Sequence, residues 1–314
     1  MRRYLMLFFV LSLILASTFA TTAATQQLTF ATGGTSGTYY PLGEAMAQVW
    51  NNNISGIQVS VQATGASAEN IRLLNNKRVD LAFVQNDINH YAYRGIEIFK
   101  GEKLPDFKVI AALYPETVQI VVRAESNIRT VADLKGKRVS VGASGSGVEA
   151  NARQILGNAK LTYRDLTPVF LPFAESAEEL KHNNIDAFFV VAGHPTAAIQ
   201  DIATQLKIRI LDFSEKELQS LRHEYEFYSK VFIPASAYNG LVPPATTVAV
   251  KASLVCNSNL DDNLVYNLTK ALFEHRRELD HPKANEFSLQ HAKAGITTPF
   301  HPGALRYYSE KGID

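Results

Sequence analysis

The spacing of apolar residues changes repeatedly along this chain. Residues 28–31 form a short apolar run with the spacing of a strand. Leu42, Ala45, Met46 and Val49 then fall at i, i+3, i+4 and i+7, the stripe of one helix face. Residues 57–61 alternate apolar and polar, which predicts a strand; residues 69–75 predict a helix; residues 79–84 predict a short buried strand. Strands alternating with helices predict a parallel sheet with crossover helices.

The pattern then recurs. LLNNKRVDLAFVQ (73–85) aligns with ELKHNNIDAFFVV (179–191), placing Leu74 on Leu180, Val79 on Ile185, Asp80 on Asp186, Phe83 on Phe189 and Val84 on Val190, an offset of 106 residues. The stretch ATGGTSGTYYPLGEAMAQVW (31–50) is echoed by RVSVGASGSGVEANARQIL (138–156). There too a strand runs into a Gly/Ser loop, and Val148, Ala152 and Ile155 share one face of the next helix. Pairing Ser36-Gly37 with Ser146-Gly147 gives an offset of 110, close to the first, so two similar α/β lobes are expected.

Residues 118–123 and 246–256 predict two long strands that cross between the lobes as a hinge. Thr130 and Asp133 have the spacing of a capping box, which starts a short helix that Gly136 ends. In residues 260–280, Leu264, Leu268 and Leu272 recur every four positions, predicting an amphipathic helix packed back on the first lobe. The expected division is 28–120 with 250–314 as lobe 1, and 121–249 as lobe 2.

The N-terminus changes the cellular picture. Arg2 and Arg3 precede an apolar run and then a small-residue stretch, the pattern of a cleavable secretory signal over residues 1–24. The expected location is the periplasm. Of 314 residues, 46% are hydrophobic and 19% charged, enough for a large core, and the net charge of +1 gives no basic excess for nucleic acid. The only short basic run, Lys135-Gly136-Lys137-Arg138, suits a solvated turn. A single cysteine, Cys256, allows no internal disulfide.

The Gly-rich loops hold the candidate chemistry. A strand–loop–helix unit leaves the first helical N–H groups without partners, and the helix dipole favours an anion there. Neither GGTSGTYY nor GASGSGVE has the lysine of a P-loop, and neither completes GxGxxG. Residues 142–146 miss the fifth position of GxSxG, His223-Glu224 lacks the second histidine of HExxH, and no spacing suggests zinc. The expectation is therefore a binding protein, without catalytic residues, metal or cofactor. Asp87 and Glu116 each end an apolar segment, where either could pair with a ligand ammonium. Tyr39, Tyr40 and Tyr114 can supply hydroxyls and apolar walls. His194 lies just beyond an apolar strand, where open α/β sheets place cleft residues.

FATGGTSGTYYPLGEAMAQVWN, VQATGASAENIRLLNNKRVDLAFVQND and DLKGKRVSVGASGSGVE together resemble the TAXI family, the extracytoplasmic receptors associated with TRAP transporters. The resemblance runs from about Leu28 to the C-terminus. It implies a type II periplasmic-binding-protein fold, a two-lobed Venus flytrap with a mixed α/β sheet in each lobe and a two-strand hinge. It implies a monomer that captures a small carboxylate or amino acid and delivers it to a fused, ion-gradient-driven membrane permease. L-glutamate and L-glutamine are the expected ligands; 2-oxoglutarate and a periplasmic sensory role are the alternatives. By motif, the expected contacts are Gly34, Thr35, Ser36, Tyr39 and Tyr40; Gln85 and Asp87; Tyr114 and Glu116; Ser144, Gly145, Ser146 and Gly147; and Gly193 with His194.

Overall fold

A computed structural model describes residues 25–241 and 243–313. The expected signal at residues 1–24 lies outside the described residues. Ten strands form one mixed sheet with the order β2-β1-β3-β10-β4-β7-β5-β6, with β8 on β4 and β9 on β10. The strands are β1 (Gln26–Ala31), β2 (Ile57–Gln62), β3 (Leu81–Gln85), β4 (Phe107–Arg123), β5 (Arg138–Ser140), β6 (Thr167–Val169), β7 (Ala187–Ala192), β8 (Ile208–Ile210), β9 (Ser229–Ile233) and β10 (Ala245–Asn257). The helices are α1 (Tyr39–Asn53), α2 (Ser67–Asn75), α3 (Asn86–Arg94), α4 (Gly147–Asn158), α5 (Phe173–Lys181), α6 (Ala197–Ala203), α7 (Glu215–Glu224), α8 (Asp262–Glu274) and α9 (Pro302–Glu310).

The sheet order is nearly palindromic. β1 lies parallel between β2 and β3, and β5 lies parallel between β6 and β7. The sequence repeat is therefore a structural one. Asp80 Oδ2 accepts the Thr29 N–H at 2.8 Å, and Asp186 Oδ2 accepts the Arg138 N–H at 2.8 Å. Lys77 and Asn183, 106 positions apart, both adopt positive φ just after a helix, at 55° and 61°.

Strands β4 and β10 run antiparallel through both halves and change partners midway. β10 pairs with β3 over Ala252 to Cys256 and with β9 over Ala245 to Ala249. Thr117 of β4 sits opposite Ala249 on one side and Ala192 of β7 on the other. Two hydrophobic clusters fill the half built on β1–β3, including Phe30, Trp50, Phe83 and Phe107. Two more fill the half built on β5–β7, including Val139, Phe188 and Phe189.

Local signals act as the sequence predicts, with adjustments at the ends. The capping box at Thr130 and Asp133 is present, but it starts a 3-10 turn, Val131–Leu134, which ends as Gly136 takes φ 73°. The C-terminal amphipathic helix is α8, shorter than expected because its apolar stripe stops before the charged residues 274–278. Asp261 caps it, accepting the Asn263 and Leu264 N–H groups at 2.9 and 3.0 Å. α8 packs on the first half, where Leu268 O accepts the Trp50 indole N–H at 3.0 Å. No helix among the described residues is long and apolar enough to cross a membrane.

Candidate binding site

A cavity of about 240 Å³ lies where the two halves meet. Four helices begin at its wall. Thr38 and Tyr39 open α1, Ala66 and Ser67 open α2, Gly147 and Val148 open α4, and Pro172 and Phe173 open α5. Gln85 reaches it from the end of β3, Glu116 from the middle of β4, and Val191 and Ala192 from the end of β7. These positions follow from the topology, since strand ends and the starts of the following helices share one edge of a parallel sheet.

Backbone spacing makes the cavity possible. Gly43 lets α1 approach β1, because a Cβ there would lie 2.7 Å from Thr32 Cγ2. Gly147 is the closest meeting point of the halves: a Cβ would lie 1.8 Å from Gln85 Oε1. Contacts on several sides hold the halves together. The Glu69 N–H donates to Gly145 O at 3.2 Å, the Ala198 N–H to Ser36 O at 3.3 Å, and the Thr38 hydroxyl to Gly193 O at 3.3 Å.

Glu116 dominates the electrostatics. It is only 2% exposed, and its Oε2 accepts the Tyr39 hydroxyl at 2.7 Å. Tyr39 is held by stacking on Phe83, with ring centroids 4.8 Å apart. Burial pushes the Glu116 carboxyl up to about 8, the Tyr39 hydrogen bond opposes that shift, and the charge of Asp87 adds to it. Gln85 is likewise buried; its N–H donates to Ser67 Oγ at 3.2 Å, while its Oε1 has no partner among the described residues. No Lys, Arg or His lines the cavity among the described residues.

The structure brings together Gly34, Ser36, Tyr39, Gln85, Glu116, Ser146 and Gly147 of the expected contacts. Others do not line the cavity. Thr35 and Ser144 are exposed, and Tyr40 engages Glu44 at the surface. Gly145 contributes its carbonyl to the loop–helix contact already described. Tyr114 is fully buried, with its hydroxyl unpaired among the described residues. Gly193 packs beside Lys283 and Tyr114.

Asp87 and His194 also lie outside the lining. Asp87 Oδ2 accepts the Asn151 amide at 2.8 Å, tying the start of α3 to α4. Burial raises the Asp87 carboxyl to about 6, against the lowering effect of Asn151. His194 Nδ1 lies 2.8 Å from Thr117 Oγ1, and burial, then the charge of Lys283, depress its pKa. Three His, Cys, Asp or Glu side chains placed to hold a metal ion occur nowhere among the described residues.

Sequence reasoning missed Thr64 to Ser67, Pro172, Phe173, Val191 and Ala192. The repeat held the signal. An offset of 106 carries Ala66 and Ser67 onto Pro172 and Phe173, and Gln85 onto Val191.

A family model described as the NMT1-like family matches residues 30–312. The chain belongs to the NMT1-like family. Solved structures give its fold. The alkanesulfonate-binding protein SsuA from Xanthomonas axonopodis pv. citri, bound to MOPS, aligns with a TM-score of 0.54 at 16% identity, covering 92% of this chain and 85% of that one. A structure described as a periplasmic transporter aligns with a TM-score of 0.55 at 14% identity, covering 93% and 96%. A putative L-cystine ABC transporter from Listeria monocytogenes aligns at 0.51 and 15% identity, covering 81% and 91%. This member of the NMT1-like family therefore has the mixed α/β, two-lobed fold of periplasmic binding proteins.

Proposed function

We propose that this protein is an exported, periplasmic receptor that captures a small α-amino acid in the cavity and passes it to a membrane permease. The division into lobe 1 (28–120 and 250–314) and lobe 2 (121–249), hinged at β4 and β10, is part of this reading. The single observation that carries it is the placing in one cavity of the buried Glu116 carboxyl with the starts of helices. An α-amino acid offers its ammonium to Glu116 and its carboxylate to the helix starts. Glu116, not Asp87, is the ammonium partner in this reading, because Asp87 is engaged by Asn151. The neighbours described as binding alkanesulfonate or transporting L-cystine support small-solute capture. The resemblance to TRAP-associated receptors supports an ion-gradient-driven partner, and supplies L-glutamate and L-glutamine as candidates.

One observation favours 2-oxoglutarate as a second reading. A neutral Glu116, favoured below its raised pKa of about 8, can donate to a keto oxygen. Calorimetric titration of the unfolded and refolded protein separates the two. Amino-acid binding with proton release is expected; binding of 2-oxoglutarate alone would overturn the amino-acid reading and keep the receptor.

A further inference from the structure

The four helix starts at the cavity are not equivalent. α2 carries Glu69 in its first turn, and Glu69 Oε2 accepts the Gly65 N–H at 2.7 Å. α4 carries Glu149, whose Oε1 accepts from Arg153 at 2.6 Å and from the Tyr163 hydroxyl at 3.0 Å. α5 carries Glu175. Each of these three helices therefore has its own carboxylate offsetting its dipole. α1 has no acidic residue in its first turn and no side-chain cap. Pro41 has no N–H and the Leu42 N–H donates to Thr38 O at 3.2 Å, so the Tyr39 and Tyr40 N–H groups are the ones left for a carboxylate.

Gln85 and Glu116 lie close together. Gln85 sits opposite Ala252 and Glu116 opposite Val250, so the two flank one short stretch of β10. Gln85 is 2% exposed and lines the cavity, with its unpartnered Oε1 packed against Gly147. The facing wall is mostly apolar, built from Val148, Pro172, Phe173, Val191 and Ala192, with the Ser146 Oγ beside them held by the Glu149 N–H at 3.1 Å.

We propose that the cavity is built for an α-amino acid with an uncharged, aliphatic side chain. Its carboxylate sits at the start of α1, its ammonium faces Glu116, and its side chain lies against Val148, Pro172, Phe173 and Val191. This rests on the amino-acid reading above and narrows it, ranking L-glutamine above L-glutamate and aliphatic side chains above both. A second carboxylate would be desolvated against carbon with no cation beside it, which is unfavourable.

The test is calorimetric titration of the refolded protein with L-leucine, L-valine, L-alanine, L-glutamine and L-glutamate. L-leucine or L-valine is expected to bind tightest, about tenfold or more above L-alanine, since each buried methylene is worth about that much. L-glutamate is expected to be the weakest of the longer side chains. L-glutamate binding as tightly as L-leucine would overturn the side-chain assignment and leave the amino-acid receptor standing. Binding of none of the five would overturn both. Phe173→Arg places a cation on the apolar wall and is expected to move preference toward L-glutamate, with thermal unfolding reporting that the variant is folded. The wild-type panel decides the question even where that variant does not fold.

Discussion

The two halves of the molecule share a topology and differ in what they present to the cavity. The half built on β1–β3 offers Ser67, Gln85 and Glu116, whereas the half built on β5–β7 offers mainly Phe173, Val191 and Ala192, with Ser146 as its polar side chain. At two repeat-equivalent positions the exchange is direct: Ser67 becomes Phe173, and Gln85 becomes Val191. Duplicated backbone geometry thus supports divided chemistry. Helix starts and strand ends reach the same place in both halves, and side-chain identity decides which half holds charge and which holds carbon. Folds host many functions by this route, since the scaffold sets positions and the residues set chemistry.

The division between halves can be broken most sharply at Glu116. Glu116→Ala is expected to lower amino-acid affinity by roughly 100-fold or more, because it leaves a buried ammonium without its carboxylate, a loss of about 3–5 kcal/mol. Titration of the refolded variant measures it. An unchanged affinity would remove the polar half from the site.

Gly147→Ala tests the contact between halves. Its Cβ would collide with Gln85 Oε1, so the side chain must move or the halves must part. A weakening of about tenfold to 100-fold is expected, as for other overpacked contacts of about 1–3 kcal/mol. Small-angle scattering at saturating ligand is expected to show a less compact particle than wild type; an identical profile and affinity would show that closure does not depend on this contact.

A third test uses pH. The Glu116 carboxyl moves from an ordinary value near 4.5 to about 8 in the ligand-free protein, so the folded state holds a proton that the unfolded state has lost. That contribution to stability is fully present below pH 4.5 and is lost as pH rises through 8. The Tm of the ligand-free protein is therefore expected to fall across that window, and to fall less steeply in Glu116→Gln. Binding an ammonium favours the carboxylate, so amino-acid affinity should rise with pH up to about 8. A flat affinity profile would argue that Glu116 does not meet the ammonium.

The smallest effect is expected at Asp87. Asp87→Asn keeps a polar group beside Asn151 at a position outside the cavity lining, so ligand preference should be unchanged and affinity altered by less than about tenfold. A loss as large as that of Glu116→Ala would move the ammonium site to Asp87 and undo the assignment made from the cavity.

Much of the fold is legible in the amino-acid sequence. The apolar stripe of α1, the alternation of β2 and the apolar run of β3 each follow from burial of one face or both, which leaves a period in the sequence. The repeat is legible because the same helix, turn and strand must recur with the same apolar positions. Sequence does not tell Glu116 and Asp87 apart. In the sequence both read as ends of apolar segments, and only packing shows that Asn151 takes Asp87 while Glu116, in the middle of β4, is held by Tyr39 and lines the cavity. Phe173 and Val191 are invisible as site residues in the sequence because apolar side chains carry no chemical label.

Local sequence by itself determined the alternating elements, the capping box at Thr130, the strand segments 118–123 and 246–256 and the Gly-rich helix starts, since each depends on neighbours within a few positions; the extension of β4 back to Phe107 came only with the structure. Tertiary structure alone decided which residues meet at the cavity. Gln85 and Gly147 lie far apart in the chain, and their contact depends on how the two halves close around β4 and β10. The raised pKa of Glu116 has the same origin: it comes from exclusion of water by residues of both halves, a property of the assembled fold and not of any local stretch.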